Sequence, residues 1–322
     1  MKAVVLDRPG PPDVLQYRQV PRPEPAADQV LIRVRAFGLN RSELFTRQGH
    51  SPSVKLPRIL GIEAVGTVEA APGGQFRPGQ TVASVMGGMG RAFDGSYAEY
   101  TCVPAQQVVP LSTSLGWAQL GALPELLQTA WGCLKTALDV QAGQTLLVRG
   151  GSSSVGLMAT QLAKHFGLTV LATTRNLAKA ERLRQHGADE VILDTGVVTP
   201  EVRRRCPQGA DRVLELVGAT TLLDSLQTAA RHGVVCMAGI VGNAWVVPNF
   251  EPMIDIPSTV RLTSYSGDVA DLLATPLAWF AEEVAAGRQS ALLDRTFGFE
   301  ELVEAHRYME ANEATGKIVV LV

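Results

Sequence analysis

The sequence predicts an α/β protein in which a doubly wound parallel sheet accompanies a mainly-β domain, and three observations predict it. Short apolar runs separated by Pro- and Gly-rich turns fill the first ~120 residues. From about residue 140 to 240, apolar runs of strand length alternate with helical patterns. A Gly/Ser-rich turn joins the first of those later strands to the helix behind it.

Each element follows in order. Val30-Leu31-Ile32-Arg33-Val34 and Gly66-Thr67-Val68-Glu69 read as short strands. Pro21, Pro23 and Pro25 precede the first, and Pro72-Gly73-Gly74 and Pro78-Gly79 follow the second. Such spacing suggests an all-β barrel or sandwich. Thr145-Leu146-Leu147-Val148 reads as a fully buried strand. The helix after it, 154–166, puts Val155, Met158, Ala159, Leu162 and Phe166 on one face, and Gly167 suits its end. Thr169-Val170-Leu171-Ala172 is the next strand, then a helix through Leu177, Ala180, Leu183 and Arg184, stopped by Gly187. Val191-Ile192-Leu193, Val213-Leu214-Glu215-Leu216, a helix around 221–231 and Val234-Val235-Cys236-Met237 repeat the alternation that specifies a parallel sheet. Beyond lie helices around 277–286 and 302–310 and a strand, Lys317-Ile318-Val319-Val320-Leu321, suited to rejoin the first domain.

With 322 residues, 46% hydrophobic and 19% charged, the chain has room for two ordinary globular domains. A net charge of −2 argues against nucleic acid or an anionic membrane as partner. Arg203-Arg204-Arg205 reads as a solvated helix face. No apolar run approaches the ~20 residues that span a bilayer. The N-terminus, Met1-Lys2-Ala3-Val4-Val5-Leu6, lacks the pattern of a signal peptide, so the expected location is cytoplasmic. Cys102, Cys133, Cys206 and Cys236 form neither a disulfide framework nor a zinc-ligand spacing, and read as small core residues.

The stretch Val148-Arg149-Gly150-Gly151-Ser152-Ser153-Ser154-Val155-Gly156 joins strand to helix. In that context small residues let the backbone approach a pyrophosphate, and free N–H groups of the helix's first turn point at it. Gly156 permits close helix–strand packing. Read as GxGxxG, the motif has Ser153 at its middle glycine; the alternative is a merely structural turn. NAD sites usually place Asp or Glu at the end of the second strand, to accept from the ribose hydroxyls. Here stand Ala172-Thr173-Thr174-Arg175-Asn176, with Lys179 one helical turn on. Arg175, the hydroxyls of Thr173 and Thr174, and Lys179 suit a 2′-phosphate, which favours NADPH over NADH. Alternatively Arg175 is an exposed helix-start residue.

Further landmarks occur in order along the chain. They are Gly38-Leu39-Asn40-Arg41-Ser42-Glu43, Leu60-Gly61-Ile62-Glu63-Ala64-Val65-Gly66-Thr67-Val68, Gly95-Ser96-Tyr97-Ala98-Glu99-Tyr100, Thr129-Ala130-Trp131, Gly187-Ala188-Asp189, Ala305-His306-Arg307 and Gly316-Lys317-Ile318-Val319-Val320. With them the chain resembles the medium-chain dehydrogenase/reductase family, quinone oxidoreductase branch, along nearly its whole length. The resemblance implies a GroES-like catalytic domain built from 1–122 and 261–322, a Rossmann NADP-binding domain at 123–260, a substrate cleft between them, and a homodimer.

Zinc-dependent members of that family carry Cys where this chain has Asn40 and His where it has Ile62, and neither replacement can ligate zinc. The four-cysteine structural-zinc lobe is also missing. Glu63 reads as structural. Zinc-independent chemistry is therefore expected, on acceptors that take hydride readily: quinones and α,β-unsaturated carbonyls. By the resemblance, Asn40 sits at the nicotinamide end, Thr129 and Lys317 contact the cofactor's phosphate or nicotinamide-ribose region, and Ser152, Ser153, Ser154 and Val155 cradle pyrophosphate. Val217-Gly218 and Gly239-Ile240-Val241 flank the nicotinamide. Tyr265 and Ser266 reach the cleft or form a β-turn. Asn40 and Tyr265 are the candidate catalytic residues. His306 reads as packing or hydrogen bonding, and His50 as a loop residue or a proton donor. Phe45 stands where many relatives have Tyr, so no general acid is named. The expected reaction is hydride transfer from NADPH to a small electrophilic acceptor. The alternatives are a 2-alkenal, enone or enoyl-thioester reductase, or an NADPH-binding, crystallin-like protein with little turnover.

Overall fold

A computed structural model describes all 322 residues, which divide into two units: Met1–Gln128 with Gly267–Val322, and Thr129–Ser266. The strands before the division are β1 (Lys2–Leu6), β2 (Leu15–Gln19), β3 (Gln29–Gly38), β4 (Arg58–Ile59), β5 (Glu63–Ala70), β6 (Thr81–Val85), β7 (Tyr100–Pro104) and β8 (Val108–Pro110). With them run helices α1 (Arg41–Gln48), α2 (Trp117–Gly121) and α3 (Pro124–Trp131). Next come β9 (Thr145–Arg149), α4 (Ser154–His165), β10 (Thr169–Thr174), α5 (Ala180–Gln185), β11 (Glu190–Leu193), α6 (Thr199–Arg205), β12 (Ala210–Glu215), α7 (Leu222–Thr228), β13 (Ala229–Met237), α8 (Pro252–Asp255) and β14 (Arg261–Ser264). The chain closes with α9 (Val269–Ala274), α10 (Leu277–Ala285), β15 (Leu293–Gly298), α11 (Leu302–Glu310) and β16 (Lys317–Leu321).

In the first unit a seven-stranded sheet runs β15-β16-β3-β5-β6-β8, with β7 also on β3, beside a small sheet β2-β1-β4. The terminal strand lies antiparallel to β3, pairing Val320 with Phe37. Lys317-Ile318-Val319-Val320 is buried throughout, so the last segment of the chain is core here.

The second unit is a six-stranded parallel sheet of order β11-β10-β9-β12-β13-β14. Leu147, Leu171, Ile192, Val213 and Val235, one from each of five strands, share one apolar cluster. After β9 the chain builds outward through β10 and β11, then returns to lay β12 on the other side of β9. That reversal is a topological switch point, and ligands of open α/β sheets bind outside the carboxyl ends of the strands there.

Two elements differ from the sequence pattern. β10 runs to Thr174, past the apolar run. β13 starts at Ala229, inside the stretch 221–231 that the alternation assigned to a helix. Its pairing with β12 shifts register between Ala210↔Ala229 and Arg212↔Val234, so sheet pairing overrides local propensity. No helix is long and apolar enough to cross a membrane.

Candidate functional site

The turn after β9 is built for close approach. Gly150 has φ +80°, in the left-handed region. A Cβ on Gly151 would meet the Ala172 Cβ at 2.9 Å, and one on Gly156 would lie 2.6 Å from the carbonyls of Gly150 and Gly151. Glycine alone lets α4 start this near the strand. Ser153 is the N-cap: its hydroxyl accepts from Gly156 N–H (3.1 Å) and donates to Gly150 O (2.8 Å). At φ −74° it needs no glycine, which explains the imperfect fingerprint. It also corrects the expectation that Ser153 cradles phosphate, because its hydroxyl is already used in capping. Ser152, Ser154 and Val155 stay partly exposed. First-turn N–H groups have no acceptor within their helix, so those of Ser154 and Val155 fit an anion.

At the end of β10 the structure separates the expected phosphate group. Thr173 is fully buried; its Oγ1 accepts from Gly150 N–H (3.0 Å) and donates to Asp194 (3.2 Å). Thr174, also buried, joins Ser152 Oγ (3.3 Å) and Asn176 O (3.1 Å). Both threonines therefore floor the site instead of facing a 2′-phosphate. Arg175 is exposed, and Lys179, half-buried, ends a 3-10 turn at Leu177–Lys179.

Beneath the loop, Arg149 is entirely buried and spends its guanidinium on protein. It binds Asp194 through Nε and Nη2 (both 3.0 Å), Asp224 through Nη1 (2.6 Å), Ser225 Oγ (3.2 Å) and Gly196 O (2.8 Å). Burial pushes the Asp194 carboxyl up, but hydrogen bonds from Arg149 and Gly196 N–H more than offset this and hold it below the usual range. Glu215, at the end of β12, accepts from Val217 N–H (2.6 Å), Gly218 N–H (2.8 Å), Thr221 Oγ1 (3.0 Å) and Ser225 Oγ. Burial raises its pKa. The turn it holds interlocks with the next: Val241 N–H donates to Leu216 O (3.1 Å) and Gly242 N–H to Val217 O (2.8 Å). Gly239 packs where a Cβ would collide with the Leu216 carbonyl. Val217, Gly239, Ile240 and Val241 are thus brought together beside the switch point, each partly exposed.

Tyr265 and Ser266 follow β14 as irregular chain. The Tyr265 phenol lies on Gly132, where a Cβ would overlap it. Gly132 opens a π-helical stretch, Gly132–Ala137, directly behind Thr129, which is partly exposed near the end of α3.

In the other unit, Asn40 precedes α1, yet its side chain makes no cap hydrogen bond. Its NH2 faces Glu63 Oε1 (3.0 Å), Glu43 Oε1 (3.3 Å) and Gly38 O (3.4 Å), and its oxygen accepts from Lys317 Nζ. Lys317 also meets Glu63 and Glu125, each at 2.9 Å, so its three donors are committed and its expected contact with the cofactor's phosphate or nicotinamide-ribose region is corrected to a buried ion cluster. Burial alone would lower its pKa; Glu125 and Glu63 outweigh this and raise it. Gly38 makes room: a Cβ there would overlap Lys317 and Glu63. Burial pushes Glu43 from 4.5 to about 8, so it is neutral at pH 7, with Ile62 N–H on its Oε1 (3.1 Å).

His306 is buried between Arg47 and Tyr97. Its Nδ1 accepts from Arg47 Nε (3.4 Å), which leaves Nε2 as the donor to Tyr97 Oη (2.9 Å). Burial, then Arg47, push its pKa down to about 3, so it stays neutral. Phe45 and His50 meet edge to face, with ring centroids 6.3 Å apart.

Sequence reasoning passed over Arg149, Asp194, Glu215, Glu43 and Glu125. One signal was available: Arg149 directly follows, and Glu215 interrupts, an apolar run read as a strand of the parallel sheet, where a charge requires a partner.

The sequence matches the alcohol dehydrogenase GroES-like domain over residues 26–113 and the zinc-binding dehydrogenase family over 186–320. It is 29% identical over 326 residues to a quinone oxidoreductase of Pseudomonas aeruginosa, covering 97% of each chain. It is 30% identical to the chloroplastic NADPH-dependent alkenal/one oxidoreductase of Arabidopsis thaliana, covering 99% of this chain and 79% of that one. The solved structure of mycobacterial Rv1454c complexed with NADPH superposes with a TM-score of 0.88 at 27% identity, covering 100% of both.

Proposed function

Because the chain belongs to the medium-chain dehydrogenase/reductase family, quinone oxidoreductase branch, and is an oxidoreductase, we propose that it reduces a quinone or related conjugated carbonyl with NADPH, without zinc. One observation carries this reading: the partly exposed first turn of α4 stands at the sheet's switch point, behind glycines that exclude any side chain.

The residues fit the dinucleotide. N–H groups of Ser154 and Val155, with the Ser152 and Ser154 hydroxyls, take the pyrophosphate. Arg175, with Lys179, takes the 2′-phosphate, while Ser153, Thr173 and Thr174 support that surface from below. Val217, Gly239, Ile240 and Val241 flank the nicotinamide, and Tyr265, Ser266 and Thr129 complete its surroundings. NADPH, when bound, supplies hydride from the C4 of its nicotinamide. In the other unit, Lys317 fixes the orientation of the Asn40 amide by bonding its oxygen. The protein acts by alignment and by excluding water. Asn40 and Ile62 in place of zinc ligands support metal-free chemistry, and the span matched to the zinc-binding family contains neither position.

The test is anaerobic NADPH oxidation by EDTA-treated protein with 1,4-quinones and with alkenals. Turnover with neither class sinks the proposal. The enone reading is favoured by the alkenal/one oxidoreductase relative, and the order of activity on the two acceptor classes decides between them. Tight NADPH binding without turnover would identify a binding protein instead. We also propose a homodimer across the open edge of β14, in the unit that also carries Trp245, Val246, Met253 and Ile254 as large, apolar and exposed residues. Met253→Asp with Ile254→Asp is expected to yield monomers in sedimentation.

A further inference from the structure

Thr173, Asp194, Arg149, Ser225 and Glu215 form one hydrogen-bonded chain beneath the carboxyl ends of β9, β10, β11 and β12. We propose that this chain is a positioning device which sets the phosphate loop and the 217–218 turn in a common register for the dinucleotide, with Thr173 and Ser225 as its links. It rests on the dinucleotide reading above and adds the element that couples the two halves of that site.

The links run without interruption. Gly150 N–H donates to Thr173 Oγ1, which donates to Asp194. Asp194 takes a two-pronged pair from Arg149, whose Nη1 reaches Ser225 Oγ (3.2 Å). Ser225 in turn donates to Glu215, which takes the N–H groups of Val217 and Gly218. At each end the chain grips a backbone amide next to a left-handed glycine, Gly150 at φ +80° and Gly218 at φ +102°. Those two turns lie on either side of the switch point between β9 and β12. Arg149, Thr173, Glu215 and Ser225 are buried, so an alternative arrangement would strand a charge or hydroxyl away from water. The network therefore has one good state, and a change at one end is felt at the other.

An ordinary packing role predicts local damage only. Ser225→Ala removes the link beside Glu215 while leaving both charges in place. Hydrogen exchange on the full chain without cofactor is expected to quicken at 215–225 and also at 150–156, although Ser225 touches nothing in that loop. Thr173→Val, of equal shape, is expected to weaken NADPH about 2- to 10-fold, and Thr173→Ser to restore it. In the double variant the losses should fall short of their product, since either break opens the same chain. Quickening confined to 215–225, or wild-type NADPH affinity in Thr173→Val, overturns the device while leaving the dinucleotide reading intact. Absence of NADPH affinity in the wild type overturns both. If Thr173→Val does not fold, the exchange experiment on Ser225→Ala decides alone.

Discussion

Lys317 Nζ lies 2.9 Å from Glu63 Oε1, and each side chain is only 1% exposed. The ammonium answers two buried carboxylates and the Asn40 oxygen together. Lys317→Met would keep the volume and strand the acids in an apolar interior, so it is expected to destabilise the protein by about 3–5 kcal/mol in chemical denaturation. A loss below about 1 kcal/mol would mean that the cluster is hydrated rather than closed.

Two buried groups of the same unit make stability depend on pH in opposite senses. Glu43 rises from 4.5 to about 8 on folding, so the native state holds a proton the unfolded chain has released, and stability falls as pH climbs through that window. His306 drops from 6.5 to about 3, so stability is lost as pH falls through that range. Their slopes, each about 1.4 kcal/mol per pH unit at most, cancel where the windows overlap. For these two groups stability should level between 4.5 and 6.5 and decline on either side. Glu43→Gln should remove the alkaline decline, as read from thermal melts across pH. A variant that keeps that decline would clear Glu43 of causing it.

Much of the parallel sheet was legible because its strands carry uninterrupted apolar runs and its helices a periodic face, as with Leu146, Leu147 and Val148 or Met158 and Leu162. β14 was not, since Arg261–Ser264 is an exposed edge with no apolar signature. The phosphate loop was legible from glycine and serine alone. What periodicity could not reveal was which hydroxyls are used internally. Thr173 and Thr174 are adjacent and identical, and only the position of Asp194 and Ser152 decides that both turn inward. Lys317 likewise reads as an available cation until Glu63 and Glu125, distant in sequence, close around it.

Arg175 is the exposed cation left at the end of β10 once both threonines turn inward. If it holds the 2′-phosphate through charge-assisted hydrogen bonds, Arg175→Ala should weaken NADPH about ten- to a hundred-fold and leave NADH nearly unchanged. Calorimetric titration of both cofactors measures this. Equal losses would remove Arg175 from cofactor selection and leave Lys179 as the candidate.

Gly132 and Tyr265 test whether the π-helical stretch serves the site or only the packing. Any side chain at 132 would overlap the Tyr265 phenol, so Gly132→Ala must displace the ring or the helix. Overpacking of this kind costs about 1–3 kcal/mol, and Tyr265→Ala in the same chain should recover most of it, because the small residue vacates the contested space. Activity separates the roles. If Tyr265 touches the reacting end of the cofactor, Gly132→Ala lowers kcat and the rescuing second substitution restores stability without restoring turnover. If the ring is only a packing element, stability and turnover recover together. Thermal melts and steady-state rates on the same three variants distinguish these outcomes, and a Gly132→Ala protein with wild-type stability would show that the phenol moves aside freely.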